Sequence, residues 1–343
     1  MPESLWKRFA ELPLQVDEYE LERLEQPVTR GFTRVTTVVR LHGGEEGLGE
    51  DVSWYPEHHD REQAAGAVLP LAGSWTLASF SGALEMPDPH RRWAYESAAL
   101  DLALRQAGTT LAVLVEREPS PVAFVISPGL GEPPTSRVVT RWLELDPRHR
   151  FKLDPASDWS DELIGELAAT GAVVTADYKA YYRTEQDPPP DADLYRRVAD
   201  GFPEAYLEDP ALTDETDAVL APHRDRVTWD APIHSVADVE GLAFRPRVLN
   251  SKPSRFGELR ELLAFYEYCG TNGIGLYGGG MFELGPGRGQ IQYLASLFHP
   301  AGPNDVAPRA YNDPDPRPGL PGSPLEPTPA GRGFRWDEPG ATL

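Results

Sequence analysis

Cysteine is all but missing from this sequence. One residue, Cys269, stands among 343, so no disulfide can form within the chain and nothing ties it to an oxidising compartment. Positive charge is scarce as well: Lys and Arg number 32 against 54 Asp and Glu, a formal net charge of -22. A nucleic-acid surface needs clustered cations, and an anionic membrane surface repels an acidic chain, so neither partner is expected. Long apolar runs are missing too. The N-terminal stretch MPESLWKRFAEL offers none that would serve as a signal sequence, and no segment approaches transmembrane length. The expectation is a soluble cytoplasmic protein, with a homo-oligomer allowed. A Gly-rich dinucleotide turn after the first strand is also absent, which argues against a Rossmann domain.

What is present is a regular alternation. The first part of the chain reads as an α+β unit: TRVTTVVRLHG alternates as a strand, and RRWAYESAALDLALRQAG is a strong helix with Gly108 at its C-terminal cap. The pattern then becomes strand, loop, helix, repeated about seven times, from VAFVISPG to GQIQYLASLF. Such alternation implies parallel strands with crossover helices, and this many units nearly close a barrel. From about residue 300 the chain turns rich in Pro and Gly, as in NDPDPRPGLPGSPLEPTPAGRG. That composition forms either a disordered tail or an extended strap pinned by Tyr311, Phe334 and Trp336.

In a barrel of this type the C-terminal ends of the strands share one mouth. The strands end in Lys152 and Asp154, in Asp177 and Lys179, in Glu208 and Asp209, in Asp230, and in Asn250 and Lys252. Asp177 and Lys179 point the same way if the extended backbone persists between them. Carboxylates from adjacent strands repel unless neutralised, and a hard divalent cation such as Mg2+, with Mn2+ as a substitute, takes such oxygen ligands. Asp177, Glu208 and Asp230, one unit apart, suit one ligand per strand. Lys152, Lys179 and Lys252 flank them, and a lysine beside a cation has a lowered pKa and can act as a base. A metal with a lysine is what proton removal next to a carboxylate requires.

At these residues the chain resembles the enolase superfamily, near its muconate-lactonising and o-succinylbenzoate-synthase branch. The resemblance is carried by YESAALDLALRQAG, TADYK, YLEDP, TWDAP and, most specifically, LNSKPSRFGELRELL. It implies a (β/α)7β TIM-like barrel with an N-terminal α+β capping domain. The expected divisions are a cap over residues 1–110, a barrel over 111–300 and a strap or tail over 301–343. It further implies Mg2+ on Asp177, Glu208 and Asp230, an acid/base role for Lys252, and a small carboxylate substrate met by Glu283 and Ser254. GLGED resembles the family's specificity loop, so Trp54 and Tyr55 are expected near substrate. Two positions depart from the pattern. The branch ends its second strand in Lys-x-Lys, and here the second lysine is Asp154. It ends the third in Asp-Ala-Asn, and here the asparagine is Lys179. The expected reaction is therefore a one-base β-elimination, of dehydratase or cycloisomerase type. An amino-acid or dipeptide racemase using Lys152 or Lys179 is the alternative, and a non-catalytic carboxylate-binding relative is a third. The two departures are complementary in charge, so Asp154 is expected to hold the Lys179 ammonium.

The glycines of YGGG and GPGRG lack the Gly-Lys-Ser/Thr ending of a phosphate loop. They are expected to admit a ligand to the backbone, or to open a helix N-terminus that holds a carboxylate beside Arg288. His58 and His59 are expected to be a solvated pair in a polar loop.

Overall fold

The computed structural model describes residues 4–28, 31–182, 188–313 and 315–336. Its first part is a three-stranded antiparallel meander, β2 (Glu18–Pro27), β3 (Thr33–His42) and β4 (Glu46–Asp51), beside a short pair formed by β1 (Pro13–Val16) and β5 (Gly73–Thr76). The helix Pro89–Gln106 lies across β4. It starts on the Asp88 side chain, which accepts from the His90 and Arg91 amides, with Pro89 in the first helical position. Two glycines let it come close: a Cβ on Gly49 would stand 1.9 Å from the Ala94 carbonyl oxygen, and one on Gly47 2.3 Å from that of Ala98. GLGED is thus a buried strand under a helix rather than a loop at a binding mouth, because its glycines are spent on that packing.

The second part follows the expected alternation. β6 (Phe151–Leu153), β7 (Val173–Asp177), β8 (Tyr206–Glu208) and β9 (Val227–Thr228) form a parallel sheet in chain order, and β10 (Val248–Ser251) pairs in parallel with β11 (Gly275–Gly278). Each is followed by a helix. Among the described residues VAFVIS pairs through single bridges, one of them from Ile126 to Phe151 in β6. The Asn250 amide donates to Trp229 O at 3.1 Å, joining β10 to the end of β9. Gly279, just beyond β11, bridges Asp305, and Asn304 bridges back to Phe124. Followed from strand to strand, the pairings return to the segment where they began. Asn304 braces this closure: its side chain accepts from Gly278 N and donates to Ala123 O.

The Pro/Gly-rich end is a strap over the described residues. Leu325 pairs with Val122, while Phe334 and Trp336 are buried against Tyr293. Asp101, on the long helix, takes the Phe334 amide at 2.8 Å and Arg335 Nε at 2.7 Å. Residues 337–343 lie outside the described residues. Cys269 is buried in the helix Leu259–Asn272. Among the described residues no helix is long and apolar enough to cross a membrane.

Candidate active site

Strand register brings the carboxylates together. Asp177 at the end of β7 pairs with Glu208 at the end of β8, and Glu208 pairs with Thr228 in β9, two residues before Asp230. Directly paired residues of parallel strands project to the same face, so Asp177 and Glu208 meet at one level. Asp177, Glu208, Asp209 and Asp230 are all at most 1 % exposed. Carboxylates so deep must be paired or must bind an ion.

Among the described residues, four cations enter the cluster. Lys152 Nζ lies 2.6 Å from Glu208 Oε1 and 2.9 Å from Asp177 Oδ2. Lys179 Nζ contacts Asp177 Oδ2 and lies 3.5 Å from Asp154 Oδ1. Lys252 Nζ lies 2.6 Å from Asp230 Oδ2, and Arg255 Nε donates to the other oxygen of Asp230 at 3.1 Å. The extended backbone does not persist from Asp177 to Lys179. Lys179 has φ +57, and its amide donates to Asp177 Oδ1 at 3.0 Å, so the chain doubles back and brings the ammonium onto the same carboxylate. A non-glycine residue in this region costs about 1 kcal/mol or more, which the surrounding contacts must offset.

The three lysines are not equivalent. Burial disfavours the Lys152 ammonium, but Asp177 and Glu208 overcome it and hold its pKa well above the usual lysine value. Lys179 is raised in the same way: burial opposes its charge, and Asp154 and Asp177 outweigh that. Lys252 goes the other way. Burial lowers it, Asp230 is its one strong opposing partner, and Arg255 and the other two lysines add repulsion. Burial, together with Asp177, Asp230 and Glu208, pushes Asp209 far above the ordinary carboxylate range.

Asp177, Glu208 and Asp209 bring ligand oxygens within 4.8 Å of one another, a group able to hold a metal ion. Hard oxygen donors, buried and mutually repelling, fit Mg2+ or Mn2+. Asp230, expected as the third ligand, is held by Lys252 and Arg255. Asp209 takes the amides of Asp230 and Ala231 at 2.8 and 2.9 Å, so it also fixes the backbone that carries Asp230.

The expected substrate contacts are more dispersed. Glu283 is buried, accepts from the Met281 amide at 2.8 Å, and lies 3.1 Å from Arg288. The helix opening before Arg288 does hold a carboxylate, but it is the chain's own Glu50, which takes the amides of Leu284, Gly285 and Gly287. That place is therefore closed to a ligand. Ser254 is buried and meets His90 Nδ1 of the long helix at 2.9 Å. Trp54 and Tyr55 are both exposed. Trp54 packs at a tilt against Phe32, ring centres 5.0 Å apart, and Tyr55 does so against His58 at 5.6 Å. His59 is fully buried between Thr37 and the Ser53 carbonyl, which corrects the expectation of a solvated pair. It sits in a helix, Pro56–Ala65, that packs on β3.

Several site residues had no role assigned from sequence. Asn250 donates to Glu208 Oε1 at 3.2 Å and Tyr277 to Glu208 Oε2 at 2.7 Å, each from inside a strand. Arg255 lies in the quoted Lys-Pro-Ser-Arg motif. Tyr182 has Lys179 at 5.7 Å and Arg255 at 5.5 Å from its ring centre, a cation–π bridge. One composition signal was available: the chain has only four lysines, and three of them, Lys152, Lys179 and Lys252, are in this site.

The solved structures that this chain resembles include members of the enolase superfamily, and the chain shares their fold, an α/β barrel with a capping domain. More narrowly, residues 118–313 match the C-terminal part, and residues 7–114 the N-terminal part, of the family described as a domain of unknown function (DUF8230), and the chain belongs to that family. Among solved structures, the muconate cycloisomerase from Pseudomonas fluorescens superposes with a TM-score of 0.66, at 20% identity over 86% of this chain and 87% of the other. The N-succinylamino acid racemase of Thermus thermophilus is 29% identical over 329 residues, 86% of each chain. The o-succinylbenzoate synthase of Bacillus subtilis is 24% identical over 291 residues, 77% of this chain and 75% of the other.

Proposed function

We propose that this chain is a Mg2+-dependent enzyme of the enolase superfamily that removes a proton α to a carboxylate and then expels a β leaving group. Mn2+ would serve as a substitute. The observation that carries this reading is the asymmetry of the lysines. Lys152 and Lys179 each face two carboxylates and stay protonated, whereas Lys252 shares one carboxylate with a guanidinium. Lys252 is then the base, and it takes the α-proton. Lys179, held by Asp154 and Asp177, is the general acid or the electrostatic stabiliser on the other side. Lys152 steadies Asp177 and Glu208.

The metal's role, when bound, is to supply positive charge for the enediolate that forms as the proton leaves. Its proposed ligands are Asp177, Glu208 and Asp230, with Asp209 bracing the backbone of the third. Glu283, Arg288, Ser254, Trp54 and Tyr55 remain the proposed surroundings of the substrate, Arg288 acting through Glu283. In this reading residues 1–110 are the cap, 111–300 a (β/α)7β barrel and 301–343 the strap, in a cytoplasmic protein.

A second reading is racemisation, favoured by the likeness to the N-succinylamino acid racemase. It needs Lys179 to return a proton to the opposite face. Solvent deuterium exchange with a library of N-succinyl amino acids and β-hydroxy carboxylates separates the two. Deuterium uptake with loss of water supports elimination, and uptake with loss of optical purity supports racemisation. No uptake with any member, in the presence of Mg2+, contradicts both and leaves a carboxylate-binding protein.

A further inference from the structure

A single guanidinium joins the two parts of the chain beside this site. Arg34 lies in β3 and is 1 % exposed. Its Nη1 donates to Ser53 O at 2.8 Å and its Nη2 to Val52 O at 2.6 Å, both just beyond β4. Its Nε donates to Met281 O at 3.0 Å, in the loop that follows β11. One planar fork thus spans a cap segment and a barrel loop. Only arginine offers several donors fixed in one plane, and an ammonium does not reproduce that.

The loop it reaches is a wall of the site. A Cβ on Gly279 would stand 3.0 Å from Lys252 Cε and 2.7 Å from Asn250 Oδ1, so this backbone is pressed against the proposed base. Phe282, the residue after Met281, has φ +56, a strained conformation for a non-glycine residue. Such an outlier persists only where its surroundings hold it, and the Arg34 bond is next to it. Glu283 follows. On the cap side the guanidinium lies over Trp54 at 5.4 Å, and Phe32 links Trp54 to Phe282 at 5.0 and 5.6 Å. Glu50 anchors the far end of the same loop through the amides of Leu284, Gly285 and Gly287.

We propose that Arg34 is a positioning residue: it latches the cap residues 52–54 to the barrel loop 279–285, and so sets the wall and aromatic rim against which a substrate is held beside Lys252. Arg34 touches no reacting atom. Its loss would loosen the wall and leave the carboxylate–lysine chemistry in place.

Amide hydrogen exchange on the full chain tests the latch, and steady-state kinetics with those N-succinyl amino acids and β-hydroxy carboxylates that the parent turns over tests its consequence. The kinetic arm rests on the function proposed above, and the exchange arm does not. In Arg34→Met, exchange at residues 52–54 and 279–287 is expected to quicken about tenfold or more, with the helix Leu259–Asn272 unchanged. KM is expected to rise about tenfold while kcat stays within about threefold. Arg34→Lys keeps the charge without the fork and is expected to fall between Met and the parent in both readouts. Unchanged exchange in both segments, or an equal rise everywhere, would overturn the latch. A fall in kcat at constant KM would overturn the positioning role. If the parent protein turns over none of these probes, the proposed function fails and exchange alone decides the latch.

Discussion

Asp154 and Lys179 face each other across adjacent parallel strands, with Lys179 Nζ 3.5 Å from Asp154 Oδ1. The two positions that depart from the family pattern are thus an ion pair, as their complementary charges implied. We propose that Lys179 supplies the cation expected one strand earlier; its ammonium also rests on Asp177. Lys179→Met is expected to lower turnover by about a hundredfold or more, the range for loss of a proton-transfer group, with little change in substrate affinity. Asp154→Asn keeps the shape and removes one of two partners, so its expected loss is smaller. Stopped-flow and steady-state rates on both variants check this order, and an unchanged turnover in Lys179→Met would make the pair structural only.

Metal affinity separates Asp209 from Asp230. Titration calorimetry with Mn2+ is expected to show near-complete loss of binding in Asp177→Asn and Asp230→Asn. Asp209→Asn is expected to weaken binding by about tenfold, as for the loss of a group that orients a ligand. If Asp209→Asn abolishes binding while Asp230→Asn spares it, then the third ligand is Asp209, the residue that already shares the cluster with Asp177 and Glu208.

Much of this was legible because barrel strands end in the residues that meet. TADYK, YLEDP and TWDAP each place an acid at a strand end; register brings Asp177 beside Glu208, while the acid that joins them within ligand distance is Asp209, and Asp230 is held by Lys252 and Arg255. What escaped was whatever depends on side chains crossing the fold. Tyr277 reaches Glu208 from within another strand, where its pattern is that of a core position; Asn250 was legible as a strand-end residue, but its bond to Glu208 was not. GLGED resembles the family's specificity loop, but its two glycines serve the close approach of a helix. The left-handed turn at Lys179 had no glycine to announce it.

The pH dependence of stability should carry the mark of His299. It is buried, its Nδ1 meets Asn304 Oδ1 at 2.7 Å, and burial lowers its pKa from 6.5 to about 4. The folded state therefore keeps the ring neutral where the unfolded chain would protonate it. The stability it contributes is complete above pH 6.5 and is lost as pH falls toward 4, by roughly 3 kcal/mol. His299→Asn retains a donor for Asn304 and removes the titration. Thermal melts from pH 7 to 4 should fall less steeply in the variant, and identical slopes would contradict this.

The strap is expected to contribute to stability. Phe334 is fully buried near Trp93 and Tyr293. Phe334→Ala should cost about 3–5 kcal/mol, the usual range for a buried phenylalanine. A urea titration with an unchanged midpoint would place the strap outside the cooperative fold.

The central claim is that Lys252 is the sole base. Its most direct test is solvent deuterium exchange at the α-carbon of a turned-over carboxylate, followed by NMR in D2O with Mg2+ present, for the parent and for Lys252→Ala. The account predicts rapid exchange in the parent and none above background in the variant, with Mn2+ affinity nearly unchanged. Exchange that continues in Lys252→Ala at the parent's rate would contradict it.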